Sequence, residues 1–170
     1  MVELMREWLS AAAHRNATDV ITRVGINDPD VIGHCGIARV RRHGNFYELE
    51  ENGCLAVIVP VIKFGELVDL VAFLPEQPER FRTRLGTCGL LGGDSDVTYS
   101  LPLQVSRTPL GWLQAGCEGV VVLDWKLARG DLSFVQDLIV EDQRHADEIN
   151  QHIRVPPKIP KITWPTELAA

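Results

Sequence analysis

The stretch that decides the fold class reads PLQVSRTPLGWLQAGCEGVVVLDWK at residues 102–126 and DLIVEDQRHADEI at residues 137–149. Three short apolar runs in it alternate with helical patterns, and continuous apolar runs of this kind are typical of strands covered on both faces. The runs cover residues 103–106, 120–123 and 138–140. Pro109 suits the first turn of a helix between the first two runs. We therefore expect a small α/β unit with a partly parallel sheet, closed by a helix over 142–153.

The chain before this unit changes its hydrophobic period. Apolar positions recur at helical spacing over residues 2–24, which predicts two short helices, and NDPD at 27–30 is typical of a loop. From Gly36 the period becomes two, which predicts an antiparallel β-meander. Its strands are expected at residues 37–42, 46–50, 54–62 and 67–74, with a fifth strand over 80–85. The glycine-rich GLLGGDSD at 89–96 is expected to form a turn. The predicted fold class is therefore α+β.

The same patterns predict how the chain is organised within one compact domain. Each part differs from its neighbours in period or composition. We expect an N-terminal helical segment at 1–30, the meander at 31–100, the α/β unit at 101–153 and a proline-rich extended tail at 154–170.

The composition is that of a soluble globular protein. The 170 residues are 45% hydrophobic and 24% charged, and no apolar run approaches the roughly 20 residues that a membrane helix needs. Charged residues interrupt the N-terminus, so no signal peptide is expected, and we predict a cytoplasmic location without membrane association. The formal net charge of −6 argues against broad electrostatic attraction to nucleic acid, so any such binding needs a local cluster of basic residues.

Three carboxylates follow directly after predicted strands, namely Asp124, Glu141 and Asp142. The carboxyl ends of parallel strands converge on the crevice where α/β sheets hold ligands. Hard oxygen ligands at that place suit Mg²⁺, so the sequence predicts a magnesium site there. The alternative is that Asp124 and Asp142 cap the helices that follow them.

Basic and titratable side chains surround the same acids. Arg144 and His145 come within the first turn of the last predicted helix. His145 is either a base paired with Glu141 or Asp142, or a surface histidine at a helix start. No serine or cysteine stands in a nucleophile elbow, so covalent hydrolase chemistry is not indicated.

A second set of candidate residues is basic. Arg80, Arg82 and Arg84 alternate with other residues, so in a strand all three share one face. Arg39 and Arg41 do the same on the first predicted strand. If the two strands are neighbours, the sheet presents a positive surface to a phosphate backbone or an acidic partner. The alternative is cross-strand pairing with glutamates.

Three segments resemble bacterial primases and their phage or plasmid relatives. CLAVIVPVIKFGELVDLVAFLP at 54–75 resembles a primase subdomain that flanks the Toprim (topoisomerase-primase) fold. LQVSRTPLGWLQAGCEGVVVLDW at 103–125 resembles the beginning of Toprim, and DLIVEDQRHADEI at 137–149 resembles its later acidic motif. The resemblance covers roughly residues 54–153 and implies a Toprim-like unit.

The chain departs from the family pattern at the residues that carry its catalysis. Arg107, Thr108 and Pro109 stand where Toprim enzymes place a catalytic glutamate. The family has two aspartates spaced D-x-D, whereas this chain has the adjacent Glu141 and Asp142 at the similar position. A two-metal site needs several carboxylates, and an arginine repels the metal. The resemblance therefore implies a catalytically silent relative.

Three functions follow from these patterns. The first is a non-catalytic nucleic-acid-associated accessory protein of phage or mobile-element type, with single-stranded nucleic acid or a replication-type protein as partner. The second is a Mg²⁺-dependent phosphotransfer or hydrolysis enzyme; without catalysis no cofactor is expected. The third is a protein-interaction module that docks through a sheet edge or through the tail, where Trp164 stands beside Pro165. The oligomeric state is left open.

Overall fold

The computed structural model describes residues 2–93 and 102–153, and within these ranges the chain forms six helices and nine strands. The helices are α1 (Val2–Ala12), α2 (Ala17–Arg23), α3 (Pro29–Gly33), α4 (Pro109–Gln114), α5 (Trp125–Ser133) and α6 (Gln143–Ile153). The strands are β1 (Gly36–His43), β2 (Phe46–Leu49), β3 (Cys54–Lys63), β4 (Glu66–Leu74), β5 (Gln77–Thr83), β6 (Leu90–Gly92), β7 (Leu103–Ser106), β8 (Val120–Val122) and β9 (Leu138–Val140). The predicted α+β class is confirmed. The predicted extended tail at 154–170 lies outside the described residues.

Strands β1 to β5 close into a barrel with the order β1-β2-β5-β4-β3. The predicted meander is wrong in its connections, because β3 pairs with β1, and β2 pairs in parallel with β5. The turn at Gly53 explains the difference. A Cβ on Gly53 would collide with the backbone of Val40, so this turn crosses close over β1 and delivers β3 to the far side of it.

The two faces of the barrel strands pack against different elements. Alternate residues of β3 and β4, such as Val59 and Phe73, pack with α2, α3, α4 and the second sheet. Only the outside of a closed barrel can meet so many elements, so we call these residues the outer set. The residues between them on the same strands, such as Ile58 and Leu70, pack with α1, and we call them the inner set. Tyr47 fits there because Ala56 and Ala72 leave room for its ring.

The second sheet has the order β6-β8-β7-β9, in which β8, β7 and β9 are parallel and β6 is antiparallel. The predicted partly parallel sheet is therefore confirmed. The predicted turn over 89–96 is wrong at its start, because Leu90 and Leu91 are buried and pair with β8 as a strand; residues 94–96 lie outside the described range. The chain passes from β7 to β8 on one side and then to β9 on the other. The strand order thus reverses between β7 and β9.

The N-terminal helices α1 and α2 confirm the two helices predicted over 2–24. The loop predicted at 27–30 is wrong, because α3 begins there. Asp28 caps it by accepting the N–H of Asp30 at 2.9 Å, and Pro29 occupies its first turn. None of the helices in the two described ranges is long and apolar enough to cross a membrane.

A fully buried carboxylate, Asp69 of β4, holds the chain where it leaves the barrel. Its Oδ1 accepts the backbone N–H groups of Leu70, Arg84 and Leu85 at 2.8, 3.1 and 2.8 Å. Its Oδ2 accepts the N–H of Thr87 at 3.0 Å. The N–H of Arg84 also donates to the carbonyl of Leu70 at 2.8 Å. The Asp69 bonds to residues 84, 85 and 87 fix the path of the chain from the barrel toward β6.

Replacing Asp69 with alanine should lower the free energy of unfolding by about 3 kcal/mol, because the backbone N–H groups of Leu70, Leu85 and Thr87 lose the Asp69 oxygens as acceptors. Asp69→Asn, which keeps one carbonyl oxygen, should lose less. Urea unfolding measures both. Glu66→Ala, an exposed acid on the same strand, is the matched control and should stay within about 0.5 kcal/mol of the wild type. A loss below about 1 kcal/mol for Asp69→Ala would contradict the anchoring role.

Candidate functional site

Arg107, Glu141 and Asp142 meet at the carboxyl ends of β7 and β9, where the strand order reverses. The backbone N–H of Arg107 donates to Glu141 Oε1 at 2.8 Å, and its Nη2 donates to Asp142 Oδ1 at 2.9 Å. The arginine that replaces the expected acid therefore contacts both remaining acids. In an α/β sheet this crevice is the usual place for a ligand, and here an ion pair occupies it.

Two of the three predicted metal ligands cap helices. Asp124 Oδ1 accepts the N–H groups of Lys126 and Leu127 at the start of α5, at 2.7 and 3.4 Å. Asp142 Oδ1 accepts the N–H of His145 at 2.8 Å at the start of α6. Within residues 2–93 and 102–153, no group of three or more histidine, cysteine or acidic side chains could hold a metal ion. The magnesium site stays a prediction.

The charges of the Arg107–Asp142 pair stabilise one another. The N–H of His145 and then the guanidinium of Arg107 hold the pKa of Asp142 below its usual value. The hydrogen bond to Asp142 in turn raises the pKa of Arg107. The aspartate is thus a carboxylate and the arginine a cation throughout the neutral range.

His145 is only 3% exposed, so the alternative of a surface histidine is wrong. His145 belongs to the first turn of α6, and its Nδ1 is buried with no hydrogen-bond partner among the described residues. Burial, followed by the positive charge of Arg107, lowers the pKa of His145, although nearby carboxylates oppose the shift. The imidazole is therefore neutral at pH 7. Arg144, one residue earlier, is exposed.

The five predicted arginines do not share one surface, because β2 lies between β1 and β5. On β5, Arg82 stands opposite Ala72 of the inner set. On β1, Arg39 stands opposite Leu55, which packs with the outer set. Alternation along the strands then divides the five into an inner group, Arg80, Arg82 and Arg84, and an outer pair, Arg39 and Arg41.

The arginines of the inner group differ in their contacts. Arg84 donates from Nε and Nη2 to the two carboxylate oxygens of Glu7 at 2.9 and 3.0 Å, which ties α1 to the barrel. Arg82 donates from Nε to the carbonyl of Gly44 at 2.8 Å. The side chain of Arg80 is 63% exposed, and among residues 2–93 and 102–153 it makes a 3.5 Å bond to Gln77 and a 4.0 Å ion pair with Glu79. Arg80 is therefore the member best placed to meet a ligand.

Sequence reasoning missed Arg42, which follows Arg41 and points to the opposite face. Arg42 stands opposite Tyr47 across the β1–β2 hairpin. Arg42 Nη2 and Tyr47 Oη are both buried, and neither has a hydrogen-bond partner among the described residues. Both side chains line an interior gap of about 10 Å³ together with Arg80 and Arg82. Only the knowledge that the sheet closes could have identified Arg42 as an inner residue.

A cavity of about 590 Å³ opens at the end of the barrel where β3 and β5 begin and β4 ends, and we call it the barrel mouth. Its lining includes Val40, Arg41, Arg42, Asn52 and Leu74. Mouths of β-barrels are common ligand sites, and this volume is within the range of small-molecule pockets. Arg42 lines both the barrel mouth and the interior gap, so this residue lies between the two.

A second cavity, of about 310 Å³, lies between the barrel and the second sheet, and we call it the seam cavity. Its lining includes Asn45, Phe46, Glu79, Arg82, Thr83 and Asp124. The ring of Phe46 is held there by Gly86, which has a φ of 70° and where a Cβ would lie 2.5 Å from Phe46 Cε1. Only glycine accommodates both the backbone angle and the ring.

No family model, curated protein or solved structure matches this chain. The functional assignment therefore rests on the geometry of the crevice, the barrel mouth and the seam cavity.

The buried neutral His145 predicts a loss of stability in mild acid. The unfolded chain takes up a proton near pH 6.5, whereas the folded chain, with the pKa of His145 lowered, resists it. The free energy of unfolding should fall by up to about 1.4 kcal/mol from this residue as the pH drops from about 7.5 to 5.5. Urea unfolding at both pH values measures the change.

His145→Gln should flatten that decline, because glutamine does not titrate. His43→Gln, which removes an exposed histidine, is the matched control and should keep the wild-type dependence. Equal losses for the wild type and His145→Gln over this pH range would contradict the assignment.

Proposed function

We propose that this chain is a non-catalytic nucleic-acid-associated protein that holds phosphate groups of a single strand at the barrel mouth. The observation that carries the proposal is Arg42, whose Nη2 is buried without a hydrogen-bond partner in the described part of the chain. A buried guanidinium donor without an acceptor is costly, so natural proteins rarely retain one without a reason. In this proposal the Arg42 side chain turns toward the mouth, where an anion supplies the acceptor that Nη2 lacks.

The size of the cavities favours an anion in the mouth rather than in the interior. The interior gap, of about 10 Å³, has room for about one water molecule. The barrel mouth is far larger and is reached by both Arg41 and Arg42. The exposed Arg80 lines the adjoining gap, so its flexible guanidinium group can turn toward the same anion. Guanidinium groups bind phosphate oxygens in a bidentate manner, which makes phosphate the favoured anion.

The charge distribution favours a single strand over a duplex. The whole chain has a formal net charge of −6, so a long rigid duplex would meet repulsion beyond any local contact. A single strand bends and can enter a concave site with a few phosphates. This agrees with the partner that the primase resemblance implies, which is single-stranded nucleic acid in a phage or mobile-element context.

The crevice of the second sheet supports a non-catalytic assignment on a Toprim-like scaffold. Glu141 and Asp142 are the acids that the resemblance would place at a metal site, and both bind Arg107. A magnesium ion would have to displace this guanidinium from Asp142 before it could use that carboxylate. The parallel arrangement of β8, β7 and β9 is compatible with Toprim ancestry.

Substitution of the inner arginines should weaken the binding of a fluorescent single-stranded oligonucleotide of about 16 nucleotides, measured by anisotropy. Arg42→Gln and Arg80→Glu should each lower the affinity at least about fivefold in about 50 mM salt. The slope of log affinity against log salt should shrink by about 0.7 for each phosphate that the variant no longer neutralises. Arg6→Glu on α1 introduces the same charge change as Arg80→Glu and should have a smaller effect.

Two results would overturn the proposal. The first is a wild-type protein that does not bind the oligonucleotide in about 50 mM salt. The second is a loss of affinity that is the same for Arg80→Glu and Arg6→Glu, since a general charge effect would then account for it. Because the side chain of Arg80 is mostly exposed, Arg80→Glu should fold normally even if Arg42→Gln does not. Urea unfolding of each variant measures its stability.

A further inference from the structure

The seam cavity presents an aromatic ring to solvent beside hydrogen-bonding groups. Phe46 is 42% exposed, although it belongs to a strand of a closed barrel. The absence of a side chain at Gly86 leaves room for this ring, which forms part of the cavity wall. An exposed aromatic face is the standard platform on which single-stranded nucleic acids stack their bases.

The other walls of the cavity carry polar groups that suit the edge of a base. Asn45 offers an amide, Thr83 a hydroxyl, and Glu79 and Asp124 offer carboxylate oxygens. The Oδ1 atom of Asp124 caps α5, and within the described part of the chain Glu79 makes a 4.0 Å ion pair with Arg80. These groups can therefore accept hydrogen bonds from a ligand. Pockets with aromatic walls and a few such polar groups are typical of specific small ligands.

The position of the cavity relates it to the phosphate site. Arg82 lines both the seam cavity and the interior gap, while Arg42 lines both the gap and the barrel mouth. The two cavities thus lie on either side of one group of arginines. Gln77 of β5 lines the barrel mouth, and Glu79, two residues further along the same strand, lines the seam cavity. A nucleic-acid strand whose phosphate sits in the mouth can therefore extend along β5 toward the seam cavity.

From these observations we infer that the seam cavity is a nucleobase pocket, in which Phe46 stacks on one base of the bound strand. This inference rests on the proposed function and names the part of the ligand that the second cavity recognises. The carboxylates favour a base with an exocyclic amino group, because a carboxylate accepts from the amino group of cytosine, whereas the N3–H donor of thymine lies between two carbonyl oxygens that repel a carboxylate.

Three oligonucleotides of equal length test the pocket: oligo-dC, oligo-dT and an abasic chain with the same phosphates. The wild type should bind oligo-dC more tightly than oligo-dT, and the abasic chain at least about fivefold more weakly than either, since one stacked base contributes about 1–3 kcal/mol. Anisotropy titrations at one salt concentration measure all three.

Two variants separate stacking from edge recognition. Phe46→Leu keeps an apolar side chain but removes the stacking face, so it should weaken oligo-dC and oligo-dT at least about fivefold and leave the abasic chain unchanged. Glu79→Gln should keep the stacking and abolish the preference for oligo-dC, because an amide both donates and accepts. Phe64→Leu changes another exposed phenylalanine, in the β3–β4 turn, and should bind all three as the wild type does.

The possible failures are distinguishable. If the wild type binds the abasic chain as tightly as oligo-dC, and Arg80→Glu still weakens that binding, the base pocket is wrong and the phosphate site stands. If the wild type binds none of the three in about 50 mM salt, the proposed function itself is wrong. If Phe46→Leu weakens the abasic chain as much as the others, the ring supports the fold and not a base, which also overturns the pocket.

Discussion

The buried carboxylate of Asp69 is the interaction on which the arrangement of the two sheets depends. It binds the N–H groups of residues 84, 85 and 87, so the chain leaves β5 along one fixed path. That path brings Gly86 against Phe46 and leads into β6, which joins the second sheet. A charged group without solvent is costly unless it is fully hydrogen-bonded, and here backbone donors supply those bonds. The seam between the barrel and the second sheet thus takes its shape from one side chain.

Placing arginines on the inner face of a small barrel imposes a further electrostatic constraint. The carboxylate of Glu7 neutralises Arg84 through a bidentate contact. The guanidinium group of Arg82 donates to the backbone carbonyls of Gly44 and Phe81. Arg42 has neither kind of partner at its Nη2 in the described residues. The described part of the barrel therefore compensates Arg84 at the α1 end and leaves the Nη2 donor of Arg42 without an acceptor. The proposed anion site depends on this asymmetry, since a barrel built only for stability would place an apolar residue there.

Much of the secondary structure could be predicted from the sequence, but the closure of the barrel could not. The period-two segments predicted the barrel strands, and the alternation of strand and helix patterns around Pro109 and Val120 predicted the parallel sheet. Both predictions were possible because burial on one or both faces of an element sets the local pattern of apolar residues. The crossing at Gly53 depends on the backbone of Val40, thirteen positions earlier, and no local pattern encodes it. For the same reason the sequence did not identify Arg42 as an inner residue, and it left open whether the strands of Arg39 and Arg82 are neighbours. Asp69 in an apolar strand was the visible signal of a buried anchor.

The closure of the barrel also has a consequence for motion. In the described strands β2 and β5 are joined through the single pair Phe46 and Thr83, whereas β3 and β4 pair over most of their length. Thermal opening of the barrel therefore begins along the β2–β5 line, where the fewest bonds resist it. Such an opening separates Arg82 on one lip from Tyr47 on the other and hydrates the interior without unfolding the rest. We therefore expect two routes by which water or an ion can exchange with the inner arginines, namely the barrel mouth and the weakly paired β2–β5 line.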